Sequence, residues 1–182
     1  MKKNDYATFL DNDTLKLERV LPGPIETVWA CLTESQHKRE WLSGGDIEPK
    51  VGGKVTHHFD HREISDKSEP IPEKYKEAGD TTTMYGKVLV WEPYTLLSYT
   101  WDEGDSGISE VTFELSELEK NQVKLVLIHT KVPDSKDFKV GVSAGWHTHL
   151  NILRNRLEGK KPGSFWSVHM LLEEEYENLF FG

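Results

Sequence analysis

The sequence predicts an α+β domain in which a curved antiparallel sheet of about six to seven strands wraps around one long C-terminal helix, with two short helices after the first strand. Three observations carry this. Apolar and polar residues alternate along runs between Lys54 and Val132, the period-two mark of half-buried strands. The turns that split those runs are short, which makes most neighbours antiparallel and the whole a meander. Helical spacing of apolar residues returns only after Gly145, so a long amphipathic helix is available to cover the concave face of a twisted sheet.

Taken in order, residues 1–13 are polar with scattered aromatics and are expected as an N-terminal arm. Thr14–Val20 alternates, with Leu15 and Leu17 on one side and Lys16 and Glu18 on the other. Leu21-Pro22-Gly23-Pro24 stops that strand, and Pro24 suits a first helical position. Ile25, Val28, Trp29 and Leu32 then mark one helix face. A second short helix is expected over 34–42, with Thr33 and Gln36 as a capping box. Asp46–Val51 reads as a strand, Gly52-Gly53 as a tight turn, and Lys54–His61 as a strand with Val55, His57 and Phe59 on one face. Residues 62–80 are rich in charge and carry Pro70 and Pro72, a long solvated loop. Four strands follow at Thr82–Trp91, Thr95–Asp102, Ile108–Leu115 and Val123–Val132. Trp146, Leu150, Leu153 and Leu157 keep helix spacing up to Gly159, placed as a C-terminal cap. After Lys160-Lys161-Pro162-Gly163, a second amphipathic helix carries Phe165, Val168, Leu172, Tyr176 and Leu179. The organisation expected is an arm (1–13), one domain (14–158) and a C-terminal helical extension (159–182).

Composition narrows the function. The chain has 182 residues, 22 Lys+Arg against 31 Asp+Glu, and a net charge of −9. Non-specific nucleic-acid binding draws its affinity from cations that displace counterions, so this class is excluded. Docking on anionic lipid is disfavoured for the same reason, and no uncharged run reaches the ~18 residues of a membrane helix. One cysteine, Cys31, forbids an intrachain disulfide and a thiolate metal cluster, and its place between Ala30 and Leu32 in a helix marks a buried inert thiol. No apolar segment of the secretory kind follows Met1–Asp5, so the cytoplasm is the expected compartment.

Several segments also resemble one family in their order and spacing. They are Arg19, Pro24–Thr33 (PIETVWACLT), Trp41-Leu42, Gly52-Gly53-Lys54, Gly86-Lys87-Val88, Leu97–Trp101 (LSYTW), Val111–Leu115 (VTFEL), Leu127–Thr130 (LIHT), and Gly145-Trp146 with Leu150 and Leu153. Together they are similar to the homologues of the activator of heat-shock-protein ATPase, over about residues 14–158. The resemblance implies the helix-grip fold of the START-like (SRPBCC) superfamily, shared with birch-pollen allergen. It further implies a hydrophobic cavity for a lipid-like or polyaromatic molecule, or a stress-related role touching chaperones. It does not imply one reaction, because the fold hosts carriers, cyclases and cofactorless binding proteins. This sequence departs from the family at Val51, in the length of the 62–80 loop, and in the helix after Pro162.

Motifs for chemistry are sparse. His58 and Asp60 share a strand face at about 6.6–6.8 Å, but a third metal ligand is missing from the motif, and both are expected to face solvent. His147 and His149 stand about 200° apart on a helix, so they do not chelate one ion. Glu173-Glu174-Glu175 reads as a solvated helix face. No catalytic residue, metal ligand or cofactor is assigned.

The expected cavity lining is therefore drawn from apolar positions of different elements. It comprises Trp29, Trp41, Val55, His57, Phe59, Val88, Tyr99 and Trp101, then Val111, Phe113, Leu127, His129, Trp146, His149, Leu150 and Leu153. Tyr99, His57 and His129 are the candidates to hold the polar end of a planar ligand. The expected partner is a small hydrophobic ligand bound by a monomer or homodimer. The alternatives are a chaperone-cofactor module, or a cofactorless cyclase or hydrolase with His57 or His129 as general base.

Overall fold

A computed structural model describes residues 5–67, 69–78 and 81–182. The strands are Thr8–Phe9 (β1), Leu15–Pro22 (β2), Lys54–Asp60 (β3), Thr81–Glu92 (β4), Leu96–Asp102 (β5), Ile108–Leu118 (β6) and Gln122–Thr130 (β7). Ile25–Thr33 (α1) and Ser35–Lys38 (α2) lie between β2 and β3, and Lys136–Leu157 (α3) and Phe165–Phe181 (α4) close the chain. One seven-stranded sheet runs β1-β2-β7-β6-β5-β4-β3, with every neighbouring pair antiparallel. This is the α+β helix-grip arrangement that the order of elements predicts.

Register puts the apolar alternation on one face. Leu17 stands opposite Leu127, which stands opposite Phe113, and Leu15, Leu125, Val111 and Leu97 share the buried side. Each such side chain contributes roughly 1.5–3 kcal/mol when fully buried. The face closes on α3. That helix is buried at Val140, Ala144, Trp146, His147, Leu150, Ile152 and Leu153, which is more than one stripe. The reason is a second layer: α4 packs on the far side, and the Tyr176 hydroxyl meets His147 Nδ1 at 2.8 Å. α3 ends as expected: Gly159 takes φ +67°, and Lys160 N–H and Gly159 N–H donate to the carbonyls of Asn155 (2.8 Å) and Arg156 (3.0 Å).

Several local expectations change. Thr33 and Gln36 form no capping box: the second helix starts from Glu34 without a side-chain cap, and Thr33 Oγ1 donates back to Trp29 O at 2.9 Å. Pro24 stands one residue before α1 rather than inside it. Asp46–Val51 is not a strand; only single bridges, Gly44 with His58 and Ile47 with Val55, tie that stretch to β3. Residues 5–13 of the expected arm are fastened to the domain: β1 pairs with β2, Ala7 N–H donates to Tyr176 Oη (2.7 Å) and Tyr6 Oη donates to Glu175 (2.6 Å).

The polar loop expected over 62–80 is structured where it is described; residues 68, 79 and 80 lie outside the described set. Ile64 is buried, and Glu73–Ala78 forms a 3-10 stretch. Its polar groups cap α4, whose own N-cap Ser164 makes no side-chain bond. Phe165 N–H donates to Ser65 Oγ (3.0 Å), and Trp166 and Ser167 N–H donate to Glu69 Oε2 (3.1 and 3.3 Å). A carboxylate there also meets the positive end of the helix dipole. Glu69→Ala is therefore expected to cost about 1 kcal/mol. Hydrogen exchange should then rise in the loop and the first turn of α4 together; unchanged protection there would show that the cap does not hold the loop.

Candidate ligand site

Between α3, α4, the loop around Tyr75 and the β3–β5 end of the sheet lies a cavity of about 590 Å³. Its walls are aromatic: Phe59, Trp101, Phe138, Trp146, Phe165 and Trp166. What keeps it open is the near side of α3, where Gly141 and Gly145 stand one turn apart on the cavity wall. A Cβ added at Gly145 would meet nothing within 4 Å. Mid-helix glycine costs about 1 kcal/mol relative to Ala, so two of them on one face trade helix stability for space.

Of the sixteen expected lining residues, Phe59, Trp101, Trp146 and His149 line this cavity. Trp29, Trp41, Val55, Val88, Tyr99, Val111, Phe113, Leu127, Leu150 and Leu153 are instead buried in the core beneath it. His57 does not reach the cavity either. Its ring lies against Tyr99 and Trp101, and Nδ1 meets Ser43 Oγ at 2.7 Å and Lys38 Nζ at 3.4 Å. Burial and the Lys38 ammonium hold the His57 imidazole well below its ordinary range. Burial likewise brings Lys38 down to about 7. The Tyr99 phenol is pushed up by burial alone.

His129 is fully buried behind the wall and fixes it. Trp146 Nε1–H can only donate, so His129 Nδ1 accepts (3.0 Å) and the proton sits on Nε2. That nitrogen meets Ser109 Oγ at 2.6 Å and Glu103 Oε1 at 3.2 Å, and Ser109 Oγ donates to the same carboxylate oxygen (2.6 Å). Glu103 is a lining residue, with a side chain 9% exposed. A neutral imidazole thus couples the Trp146 indole to a carboxylate at the cavity wall.

A second polar group is tied to the lining residues Lys74, Tyr75 and His169. Glu173 Oε1 accepts from Lys74 Nζ (2.9 Å) and from the Tyr75 hydroxyl, and lies 3.4 Å from His169 Nε2. Burial would push Glu173 up, but hydrogen bonds from His169, Tyr75 and Lys74 outweigh it and hold the carboxyl down to about 2. Glu173 is therefore not part of a solvated face, a correction to the reading of the Glu173-Glu174-Glu175 run; Glu175 is likewise engaged, by Tyr6. Two more imidazoles complete the lining. His149 Nδ1–H donates to Trp41 O (2.7 Å), which leaves Nε2 as an acceptor, and burial lowers His149 to about 3. His61 stacks on Phe165 at 4.2 Å, and burial followed by repulsion from His169 lowers it to about 4.

Sequence reasoning missed His61, Tyr75, Glu103, Gly141, Gly145, Phe165, Trp166 and His169. The glycine pair was the readable signal, since nothing in an ordinary helix rewards Gly at two positions one turn apart. Among the described residues, no group of three or more His, Cys, Asp or Glu side chains is arranged to hold a metal ion. His58 is exposed and hydrogen-bonded to Thr83, and Asp60 pairs with Arg62. Half-buried Cys31 is pushed up to about 11 by burial, the condition of an unreactive thiol. No helix among the described residues is long and apolar enough to cross a membrane.

Comparison with known proteins agrees with this architecture. A solution structure of a Bordetella parapertussis protein encoded by gene BPP1335 is 36% identical; the match covers 96% of this chain and 90% of that one, with a TM-score of 0.78. CalU16 from Micromonospora echinospora shares the fold at 20% identity, over 93% and 89% of the two chains, with a TM-score of 0.67. EF2215 from Enterococcus faecalis, described as a conserved protein of unknown function, is similar at 23% identity, over 95% and 91%, with a TM-score of 0.60. No protein of curated function matches the sequence. The family profile described as Activator of Hsp90 ATPase homolog 1-like protein matches residues 22–158, from the last residue of β2 through α3, without β1, the rest of β2 or α4. With the helix-grip topology and that match across most of its length, the chain belongs to the Activator of Hsp90 ATPase homolog 1-like family of START-like domains.

Proposed function

We propose that the protein binds a small, largely planar apolar molecule in the cavity between α3, α4 and the sheet. The observation that carries this is the hollow itself: aromatic walls around about 590 Å³, left open by Gly141 and Gly145. That volume lies within the roughly 300–1,000 Å³ typical of small-molecule sites. Rings at varied tilts, such as Trp101 against Trp146 at 5.0 Å and 54°, offer faces and edges to a flat guest. The helical extension supports the reading, because Phe165, Trp166 and His169 of α4 complete the wall.

The test is a plug. Gly145→Leu puts a side chain into free space and removes a helix-weakening glycine, so the fold should persist with an equal or higher Tm. Titration of the wild-type protein with 1-ethylnaphthalene, flavonoids and medium-chain fatty acids should find at least one saturable ligand that raises Tm. The variant should lose more than about tenfold in affinity for it, the equivalent of ~1.4 kcal/mol. Equal binding by the plugged and open proteins would place the ligand elsewhere.

As a general base for a cyclase or hydrolase, neither His57 nor His129 is placed at the cavity surface. The chaperone reading is supported by the family's description, and ATPase stimulation of the cognate heat-shock chaperone tests it.

A further inference from the structure

We propose that the cavity selects an aromatic ligand bearing an amine or other cationic nitrogen, which the Glu103 carboxylate receives, over the same skeleton bearing a carboxylate. This rests on the cavity being a ligand site, and adds the charge of the ligand to it.

The argument is the distribution of charge along the walls. Glu103 is held in place through Oε1 by Ser109 and His129, so Oε2 is the oxygen available to a guest. Glu103 lines the cavity together with the Trp101 and Trp146 rings and Asp137. A carboxylate next to aromatic faces is the setting that stabilises an ammonium, by ion pairing and by the ring quadrupole together. The only cationic side chain lining the cavity among the described residues is Lys74, and its ammonium is engaged by Glu173. A ligand carboxylate arriving there would have to compete with Glu173 and face its charge. His149 offers Nε2 as an acceptor, and burial keeps His149 and His61 uncharged at neutral pH. The charged side chains lining the cavity among the described residues are thus the carboxylates of Glu103 and Asp137 against one ammonium, Lys74, that Glu173 already engages. A fatty acid would bring a third carboxylate to a wall that already holds Glu103 and Asp137.

Three fluorescent probes of one skeleton test this: 2-(1-naphthyl)ethylamine, 3-(1-naphthyl)propionate and 1-ethylnaphthalene. Titrations are run at about 0.5 M NaCl, where the long-range field of a net charge of −9 is screened and the local contact persists. The amine is expected to bind at least about tenfold tighter than the propionate. In Glu103→Gln that ratio should fall towards one. The wild-type ratio stands without any variant, so a poorly folded Glu103→Gln leaves the proposal open to refutation. Equal binding of the two charged probes, tighter binding of the propionate, or an unchanged ratio in a folded Glu103→Gln each overturns it. Failure of all three probes, the hydrocarbon included, counts instead against the cavity as a site for this class of guest. Binding of the hydrocarbon without preference for the amine removes only the charge assignment.

Discussion

Acidification is expected to unfold this protein steeply, beginning near pH 6. Four imidazoles are kept uncharged by burial: His57 well below its ordinary range, His61 at about 4, and His147 and His149 at about 3. In the unfolded chain each takes a proton near pH 6.5. Between that value and its folded value, the unfolded state therefore binds more protons, and stability falls as pH falls. One such group contributes up to about 1.4 kcal/mol per pH unit, so four approach ~5 kcal/mol per unit, against a total stability of roughly 5–15 kcal/mol. Glu173 adds in the same direction, since its lowered carboxyl gives stability present above its unfolded pKa and lost as pH falls towards about 2. Lys38, brought down to about 7, carries its desolvation cost in full below that value, so stability should rise from pH 7 towards the alkaline side. Urea denaturation at several pH values from 8 to about 4.5 measures this, and the slope at pH 5 should correspond to uptake of about four protons. A free energy of unfolding that is level from pH 7 to 5 would sink it.

Trp41→Ala is expected to be the most damaging single truncation, at about 3–5 kcal/mol. Trp41 is 1% exposed and sits where three layers meet. Its indole N–H donates to Cys31 O (2.8 Å) and its ring edge meets Phe113 at 6.5 Å, while its carbonyl accepts from His149 Nδ1 (2.7 Å). Removing the indole leaves a void under the sheet and takes the donor from the partly buried Cys31 carbonyl at once. At roughly 2–4 °C per kcal/mol for a chain of this size, Tm should fall by about 6–20 °C. Leu171→Ala, half exposed on α4, is the control and should stay within about 0.5 kcal/mol. A Trp41→Ala protein melting within a few degrees of wild type would mean that the site collapses around the missing ring.

The fold was legible because its signals are local. Leu15 and Leu17 against Lys16 and Glu18, or Val111, Phe113 and Leu115 against Thr112 and Glu114, fix strand faces whatever lies above them. The candidate site was legible only in part. An aromatic at an apolar position reads the same whether its far side meets another side chain or a hollow, so Phe113 and Tyr99 could not be told from Trp101 and Phe59 by pattern. The charged residues were harder. Glu173 lies in an acidic run that reads as solvated, and its partners Lys74 and Tyr75 stand nearly one hundred residues earlier.

By itself the sequence determined the alternation of strands, the helix stripes, the Gly159 stop and the family to which the chain belongs, all properties of neighbours along the chain or of residue order. Only the tertiary structure decided which faces α3 buries, that the loop around Glu69 caps α4, and where the packing leaves room. Those depend on how two distant surfaces fit, and a gap between surfaces is a property of neither one's sequence.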